Sequence, residues 1–510
     1  MEALNHILLG FQICLRPVNL FYCFLGVLGG TLVGVLPGLG PQAAIALLLP
    51  AALYLDPTTA IILLSGIYYG SMYGGSTTSI LVNIPGEAAS IVTCMDGYQM
   101  ALKGRAGAAL GIAAFGSFVA GTFGVMLLVL VGTPIAEFAL SFGPPEYFSL
   151  MCLAFLILTN LSEGSFYKSW ISILAGLFLG TIGMDMFTGQ PRFTFEIPSL
   201  MDGLGLIPVI MGLFGVTEIV FNVEQVLTRT VIGQKIGTLL PNRREWKASI
   251  KPILRGIFIG SGCGILPGAG VVLSTFASYA VERRCSKHPE RFGHGAIEGV
   301  AGPETANNAA AQCGFIPLFT LGIPANVTTA ILLGALMLFG VKPGPMLISS
   351  NPELFWGVVA SMYVGNVMLL ILNLPLIGLW VQVLKVPYSI LFPLILLFCL
   401  VGVYIPNTSI DEIWIMIFFG GLGYFFRKTG FELAPLTLAM VIGPIFENAF
   451  RQSLLMSVGD FSIFLTRPIS AALLGSSFLL ILIVLAGKFL RRKKHPPLGP
   501  TDAPERSQHS

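Results

Sequence analysis

The chain has 510 residues, of which 55% are hydrophobic and only 10% charged, and it carries 60 glycines and 33 prolines. Soluble domains hold about 25% charged residues, so this composition excludes a soluble enzyme and indicates a polytopic membrane protein. The formal net charge of +3 comes from loops and the tail, which bears on membrane orientation and leaves no basic surface for nucleic acid.

The apolar segment from Val18 follows Arg16 and continues into apolar sequence without an Ala-x-Ala-like cleavage site. It reads as the first membrane segment and not as a removable signal. It leads into a Gly/Pro heptapeptide, Gly34-Val-Leu-Pro37-Gly38-Leu-Gly40. The arms on either side, Val18 to Leu36 and Pro41 to Leu55, carry no charge, and the second is too short to cross a bilayer at roughly 20 residues per span. A hairpin or broken helix is predicted there. A second break follows, from Gly74-Gly75-Ser76-Thr77-Thr78-Ser79 to Asn83-Ile84-Pro85-Gly86. Further apolar sequence, including the charge-free stretch from Ala106 to Ala136, carries the strings Pro145-Glu146-Tyr-Phe148 and Gly212-Leu-Phe-Gly215.

After a basic linker comes a second heptapeptide, Gly264-Ile-Leu-Pro267-Gly268-Ala-Gly270, 230 residues beyond the first. A second break again follows, from Asn307-Asn308 to Gly322-Ile323-Pro324-Ala-Asn326, and the two Ile-Pro pairs are 239 residues apart. Pro352-Glu353-Leu-Phe355 and Gly420-Gly-Leu-Gly423 repeat the earlier strings at 207 and 208 residues. Four landmarks in one order imply an internal duplication. Arg229, Lys235, Arg243, Arg244, Lys247, Lys251 and Arg255 precede the second heptapeptide, whereas only Arg16 precedes the first. Because cytoplasmic loops accumulate Lys and Arg, the copies are expected to be inverted, with Arg283, Arg284, Lys287 and Arg291 on the same side as the linker. Arg427 and Lys428 depart from this scheme. Ile469 to Gly487 is a plain terminal membrane helix, and the basic residues from Lys488 to Lys494 place a polar tail, expected to be disordered from 495, in the cytoplasm.

The expected fold is an all-α polytopic membrane protein with about 12 transmembrane helices in two inverted repeats with broken or re-entrant helical hairpins. The boundaries are 1–226 for the first repeat, 227–252 for a basic cytoplasmic linker, 253–468 for the second repeat, 469–490 for the terminal helix and 491–510 for the tail.

A Gly/Pro break at membrane depth is tolerated only where protein or a water-filled cavity receives the freed backbone groups, and matching breaks in two halves point to a transporter's midplane site. These stretches hold no Lys or Arg to meet an anion, so backbone amides must do so. Gly38, Gly40, Gly268 and Gly270 allow close main-chain approach, and each restarting helix presents free N–H groups. Ser76, Thr77, Thr78, Asn83, Asn307 and Asn308 complete the candidate substrate-binding set. Gly74, Ser79 and Glu304 are the candidate ion-coupling residues, Glu304 because an intramembrane acid is functional by default. No cofactor is expected beyond Na+ as a candidate coupling ion near Gly38 and Gly268. Against this stands close helix packing as the role of glycines such as Gly26, Gly29, Gly30 and Gly34. Asp56, Glu87, Asp185, Glu218, Glu432 and Glu447 fall near segment ends and read as interfacial or capping residues. The eight cysteines form no CxxC pair, the five histidines lie outside the apolar cores, and no HExxH or GxSxG string occurs, so no enzyme is expected.

The strings GVLPGLGPQAA, YGGSTTSILVNIPGEA, GILPGAG, GPETANNAAA and FIPLFTLGIPAN resemble the motifs of the large membrane subunit of the bacterial tripartite tricarboxylate transporters, from Gly26 to about Asp460. The resemblance implies a multi-pass protein of the bacterial inner membrane. Its implied partners are a small membrane subunit of four helices and a periplasmic substrate-binding protein. It also implies uptake of citrate or other small carboxylates driven by Na+ or H+. The expected mechanism delivers the carboxylate to a site between the halves, held at the tips of the breaks. An anion channel, or a scaffold subunit without coupled transport of its own, is the competing reading.

Overall fold

Proline opens many helices of this chain, because its missing N–H costs nothing in a first turn; Pro17, Pro41, Pro57 and Pro352 all stand there. The computed structural model describes residues 2–36, 40–161, 165–224, 237–268, 270–384, 386 and 388–494. The first half runs through α1 (Glu2–Cys14), α2 (Pro17–Val35), α3 (Pro41–Ala52), α4 (Pro57–Val82), α5 (Ile91–Leu102) and the long α6 (Ala106–Ala139). It continues with α7 (Pro144–Leu161), α8 (Phe166–Leu179), an antiparallel hairpin of β1 (Gly183–Met184) and β2 (Pro191–Arg192), and α9 (Leu206–Ile210). A π-turn over Met211–Val216 joins α9 to α10 (Thr217–Glu224). The second half opens with α11 (Arg243–Ile265), α12 (Gly270–Cys285), α13 (Glu298–Cys313), α14 (Phe315–Leu321) and α15 (Val327–Leu338). It closes with α16 (Leu347–Ser350), α17 (Pro352–Asn373), α18 (Ile377–Val383), α19 (Tyr388–Asn407), α20 (Ile410–Lys428), α21 (Leu433–Met456), α22 (Ile463–Thr466) and α23 (Pro468–Lys494).

The expected all-α polytopic architecture is what the structure shows. Among the described residues, six helices are long and apolar enough to cross a membrane, and four shorter apolar helices accompany them. The small β hairpin had no signal in the sequence reading.

Glycine spacing sets the packing of each half. A Cβ on Gly26, Gly30 or Gly34 of α2 would come within 2.5, 2.5 and 2.2 Å of the carbonyl oxygens of Leu63, Ile67 and Ser71 in α4. A Cβ on Gly256, Gly260 or Gly264 of α11 would meet those of Gly302, Ala306 and Ala310 in α13 at 2.5, 2.3 and 2.4 Å. The glycines correspond at the heptapeptide offset of 230 and their partners at the Ile-Pro offset of 239. Both contacts ascend together in number, so α2 runs parallel to α4 and α11 parallel to α13. Parallel neighbours oblige the segment between them to turn back. α3 and α12 are therefore return arms of re-entrant hairpins, and Gly270 at the start of α12 lies against the Cys263 carbonyl, where a Cβ would come within 2.3 Å.

The hairpins enter from opposite faces. α6 begins beside α11, where Arg105 pairs with Glu245 at 2.8 Å. It runs antiparallel to α17, with Gly121 against Asn366 and Gly132 against Phe355. α17 in turn runs parallel to α4, with Gly357 against Thr58 and Gly365 against Tyr69. The start of α4 thus lies on the face where α6 ends, and the start of α11 on the face where α6 begins. Lys103 donating to the His294 carbonyl, Lys168 donating to that of Thr429, and the Arg427–Glu218 and Lys428–Glu224 pairs belong to the latter, basic face. Arg427 and Lys428 therefore share the side of the linker, which the positive-inside bias makes cytoplasmic.

Two of the four sequence landmarks do not belong to this inverted pair. α9–α10 and α20 run side by side in one direction, with Gly205 facing Glu412, Gly212 facing Gly420 and Gly423 facing Thr217. α7 and α17 likewise both start on the face where α6 ends. Local physics explains the matches at 207 and 208: Gly-rich faces recur where helices pack closely, and Pro-Glu recurs in first turns, where the N–H is spare and the dipole favours an acid.

α4 is buried continuously from Thr59 to Val82 and α13 from Gly299 to Cys313. These central helices carry most of the polar residues singled out in the sequence.

Candidate functional site

Each re-entrant tip packs against the second break of its own half. Gly38 lies outside the described residues, and Gly40 is the N-cap residue of α3. Thr78 Oγ1 donates to the Gly34 and Val35 carbonyls at 3.3 and 2.8 Å, satisfying acceptors that the end of α2 leaves open. Gly86 fits beneath the same tip, where a Cβ would lie 2.1 Å from the Gly34 oxygen. In the second half, Gly268 at φ +119° donates its N–H to the Ala325 carbonyl at 2.7 Å. Ala325 is the counterpart of Gly86 at the offset of 239. Gly74 is a packing residue, with Thr31 O 2.3 Å from its ideal Cβ. Asn83 closes α4 in the left-handed conformation and is exposed; its counterpart Gly322 closes α14 in the same conformation.

Between the halves runs a polar seam. Ser76 Oγ donates to Glu304 Oε2 at 2.5 Å, and Thr93 Oγ1 to Glu304 Oε1. Asn307 Nδ2 donates to Glu87 Oε1 at 3.0 Å, and the Ala89 N–H to Glu87 Oε2 at 2.6 Å. Asn308 Nδ2 reaches Ser117 Oγ at 2.7 Å and the Glu304 carbonyl at 3.1 Å. Nearer the cytoplasmic face, Asp96 accepts from Tyr279 and from the N–H groups of Gly293, Gly295 and Ala296. None of Glu87, Asp96 and Glu304 has a Lys, Arg or His ion-pair partner among the described residues. A buried carboxylate without a cationic neighbour is expensive, so hydroxyl and amide donors alone hold this seam.

Of this set, Glu304, Asn307, Asn308 and Ser76 stand out in the sequence. Glu87, expected as an interfacial or capping residue, is a cap, and its reach to Asn307 has no signal in the sequence, nor do Thr93, Asp96 and Ser117. Asp56 is the N-cap of α4, accepting from the Thr58 N–H at 3.0 Å. Ser79 Oγ is buried without a hydrogen-bond partner among the described residues. Thr77 lines, with Tyr73, Ser76 and Ser117, a cavity of about 10 Å³, which is room for one water molecule. The seam is shut to anything the size of a carboxylate in this conformation.

Larger spaces open on the outer face. A cavity of about 670 Å³ between α7, α21 and the second break is lined by Tyr147, Ile323, Lys342, Asn448 and Gln452. Beside it, about 590 Å³ lies against the β hairpin and α21. There Asp185 is bound by Arg451 at 2.9 Å and Arg192 by Glu447 at 2.6 Å. The Thr188 and Phe187 N–H groups, and then Arg451, hold the Asp185 carboxyl down at about 2.

Comparison with known proteins fits this geometry. Residues 20–438 match the tripartite tricarboxylate transporter TctA family. An uncharacterized 52.8 kDa protein in the TAR-I ttuC' 3' region of Agrobacterium vitis is 50% identical over 485 residues, covering 95% of this chain and 97% of its own. A protein in the TAR-II ttuC' 3' region of the same organism is 53% identical over 226 residues, 44% of this chain and 93% of its own. No solved structure gives a significant match. The chain belongs to the TctA family, the large subunit of the tripartite tricarboxylate transporters.

Proposed function

We propose that the chain is the permease subunit of a binding-protein-dependent secondary transporter that imports a di- or tricarboxylate of the citrate class across the bacterial inner membrane, driven by a Na+ or H+ gradient. The observation that carries this reading is the inverted pair of re-entrant hairpins, each seated on a second break of its own half. Such discontinuities bring helix N-termini to the tips, where backbone N–H groups can meet an anion that has no basic side chain beside it. A small membrane subunit and a periplasmic binding protein complete the system. The carboxylate approaches from the outer-face cavity that reaches Ile323 and is held by the tip amides at Gly38, Gly40 and Gly270, joined by that of Gly268 once it leaves the Ala325 carbonyl, with Ser76, Thr77, Thr78, Asn83, Asn307 and Asn308 as candidate side-chain donors. Glu304 couples its movement to the ion, with Gly74 and Ser79 beside the path.

Reconstitution with both partners in proteoliposomes tests this. Uptake of labelled citrate or another small carboxylate should saturate, require the binding protein and collapse with the ion gradient. Gly268→Ala, which forces a side chain onto a left-handed backbone, should reduce uptake about tenfold or more with normal membrane insertion. Gradient-independent flux without the binding protein would instead identify a channel.

A further inference from the structure

The contacts joining the halves repeat with the same offset as the helices. Asn307 Nδ2 donates to Glu87 Oε1 at 3.0 Å, and Asn326 Nδ2 to the Tyr68 hydroxyl at 2.8 Å. At the spacing of 239, Glu87 corresponds to Asn326 and Tyr68 to Asn307. One bond is thus the image of the other. Glu87 and Asn326 also do the same local work, each closing a capping box at the start of the next helical segment.

Their chemistry differs. Glu87 is an acid and Asn326 is neutral. At the same spacing Glu304 corresponds to Ser65, Ser76 to Phe315 and Thr93 to Leu332. The acids and the hydroxyls that hold Glu304 therefore occur in one member of the pair, and the other is apolar or uncharged.

In the acidic member, each of the four carboxylate oxygens of Glu87 and Glu304 accepts at least one hydrogen bond, Glu87 also taking the Ser90 N–H of its capping box, and lone pairs remain to spare. Glu304 and Asn307 are one turn apart on α13, so the carboxylate that Asn307 holds lies next to Glu304. Asn307 spends its amide nitrogen on Glu87. Its Oδ1, on the same planar group and so beside that carboxylate, is buried without any donor among the described residues. Two acids and an orphan oxygen converge where no cationic side chain is present.

We propose that Glu87, Glu304 and Asn307 Oδ1 form a single Na+ site, and that its image at Asn326, Tyr68 and Ser65 is a neutral structural copy that holds no ion. An oxygen-only donor set suits a hard cation. Two acids and one amide fall short of the about 6–8 oxygens of Ca2+ or the rigid octahedron of Mg2+, and no cluster of three or more His, Cys, Asp or Glu among the described residues offers a multivalent metal site. Glu304 is buried, whereas Glu87 keeps part of its surface open beside exposed Asn83 and Ala88, so the ion enters from the Glu87 side. The identity of the ion rests on the reading of the protein as a gradient-driven transporter; the geometry of the site does not.

The full-length chain in nanodiscs, without substrate or gradient, allows a test by 22Na+ binding and by thermal unfolding against NaCl, with choline chloride keeping ionic strength constant. One saturable Na+ per chain is expected, with K+ and choline ineffective. Glu304→Gln, Glu87→Gln and Asn307→Leu should each weaken Na+ binding about tenfold or more, while Ser65→Ala leaves it unchanged. Size-exclusion profiles separate a folding defect from a lost ligand. Absence of saturable Na+ binding to the wild-type chain, two ions per chain, or a preference for Ca2+ would overturn the proposal. Carboxylate uptake driven by a pH gradient in a protein that binds no Na+ would defeat the ion site and spare the transport reading. Na+ binding by a chain that moves no carboxylate would do the reverse.

Discussion

Asp185 shows how far a single group departs from what its position in the sequence suggests. It lies between two apolar segments, and the bland reading of an interfacial acid was reasonable. In the structure it accepts N–H groups from Phe187 and Thr188 and an ion pair from Arg451, which together favour its charged form. With its carboxyl at about 2 in place of the ordinary 3.8, its stabilising contribution is complete above the ordinary value and disappears as pH falls through the lower one. Thermal unfolding of the detergent-solubilised protein should show a constant gap between wild type and Asp185→Asn from neutral pH down to about 4, closing toward about 2. A gap that instead widens on acidification would contradict this. At the same scale, Glu304 was legible because an acid beside a long charge-free stretch stands out. Glu87 was not, because its capping role is visible in the sequence and its second bond depends on a helix more than two hundred residues away.

Among the elements, the glycine rows govern. Gly30 and Gly260 lie against backbone carbonyls, whereas a Cβ on Gly29 or Gly262 would meet nothing within 4 Å. Gly30→Ala and Gly260→Ala should each cost about 1–3 kcal/mol through overpacking. Gly29→Ala and Gly262→Ala should be neutral or stabilise by up to about 1 kcal/mol through helix propensity. Urea or thermal unfolding of the four variants measures the contrast, and equal effects would dismiss the packing account. The hairpin arms were legible because their length fails the span requirement while their composition meets it. The strings at 207 and 208 misled for the opposite reason: first turns and packing faces reuse the same few residues whichever way a helix points. The β hairpin rests on two residue pairs, Gly183 with Arg192 and Met184 with Pro191, too short for any alternation to register.

For the whole molecule, inversion makes a claim about sidedness. Lys342 lies on the outer face, and Arg244 and Arg291 on the basic face, all exposed. Cysteine placed at 342 should react with a membrane-impermeant maleimide in intact cells, and cysteine at 244 or 291 only after permeabilisation. The reverse pattern would turn the protein over. The paired hairpins and their inversion were readable from two repeated breaks and a charge bias, whereas the seam joining the halves was not, since its partners meet only after both halves have folded.

The parallel course of α2 and α4 bears on how the protein is made. The return arm α3 is too short to span by itself, and the glycine row of α2 finds its packing partner only in the backbone of α4, so the first hairpin completes its packing only after α4 has been made. The second hairpin waits in the same way for α13. Each half thus closes last around its central helix, α4 or α13, the element that both arms of its hairpin need.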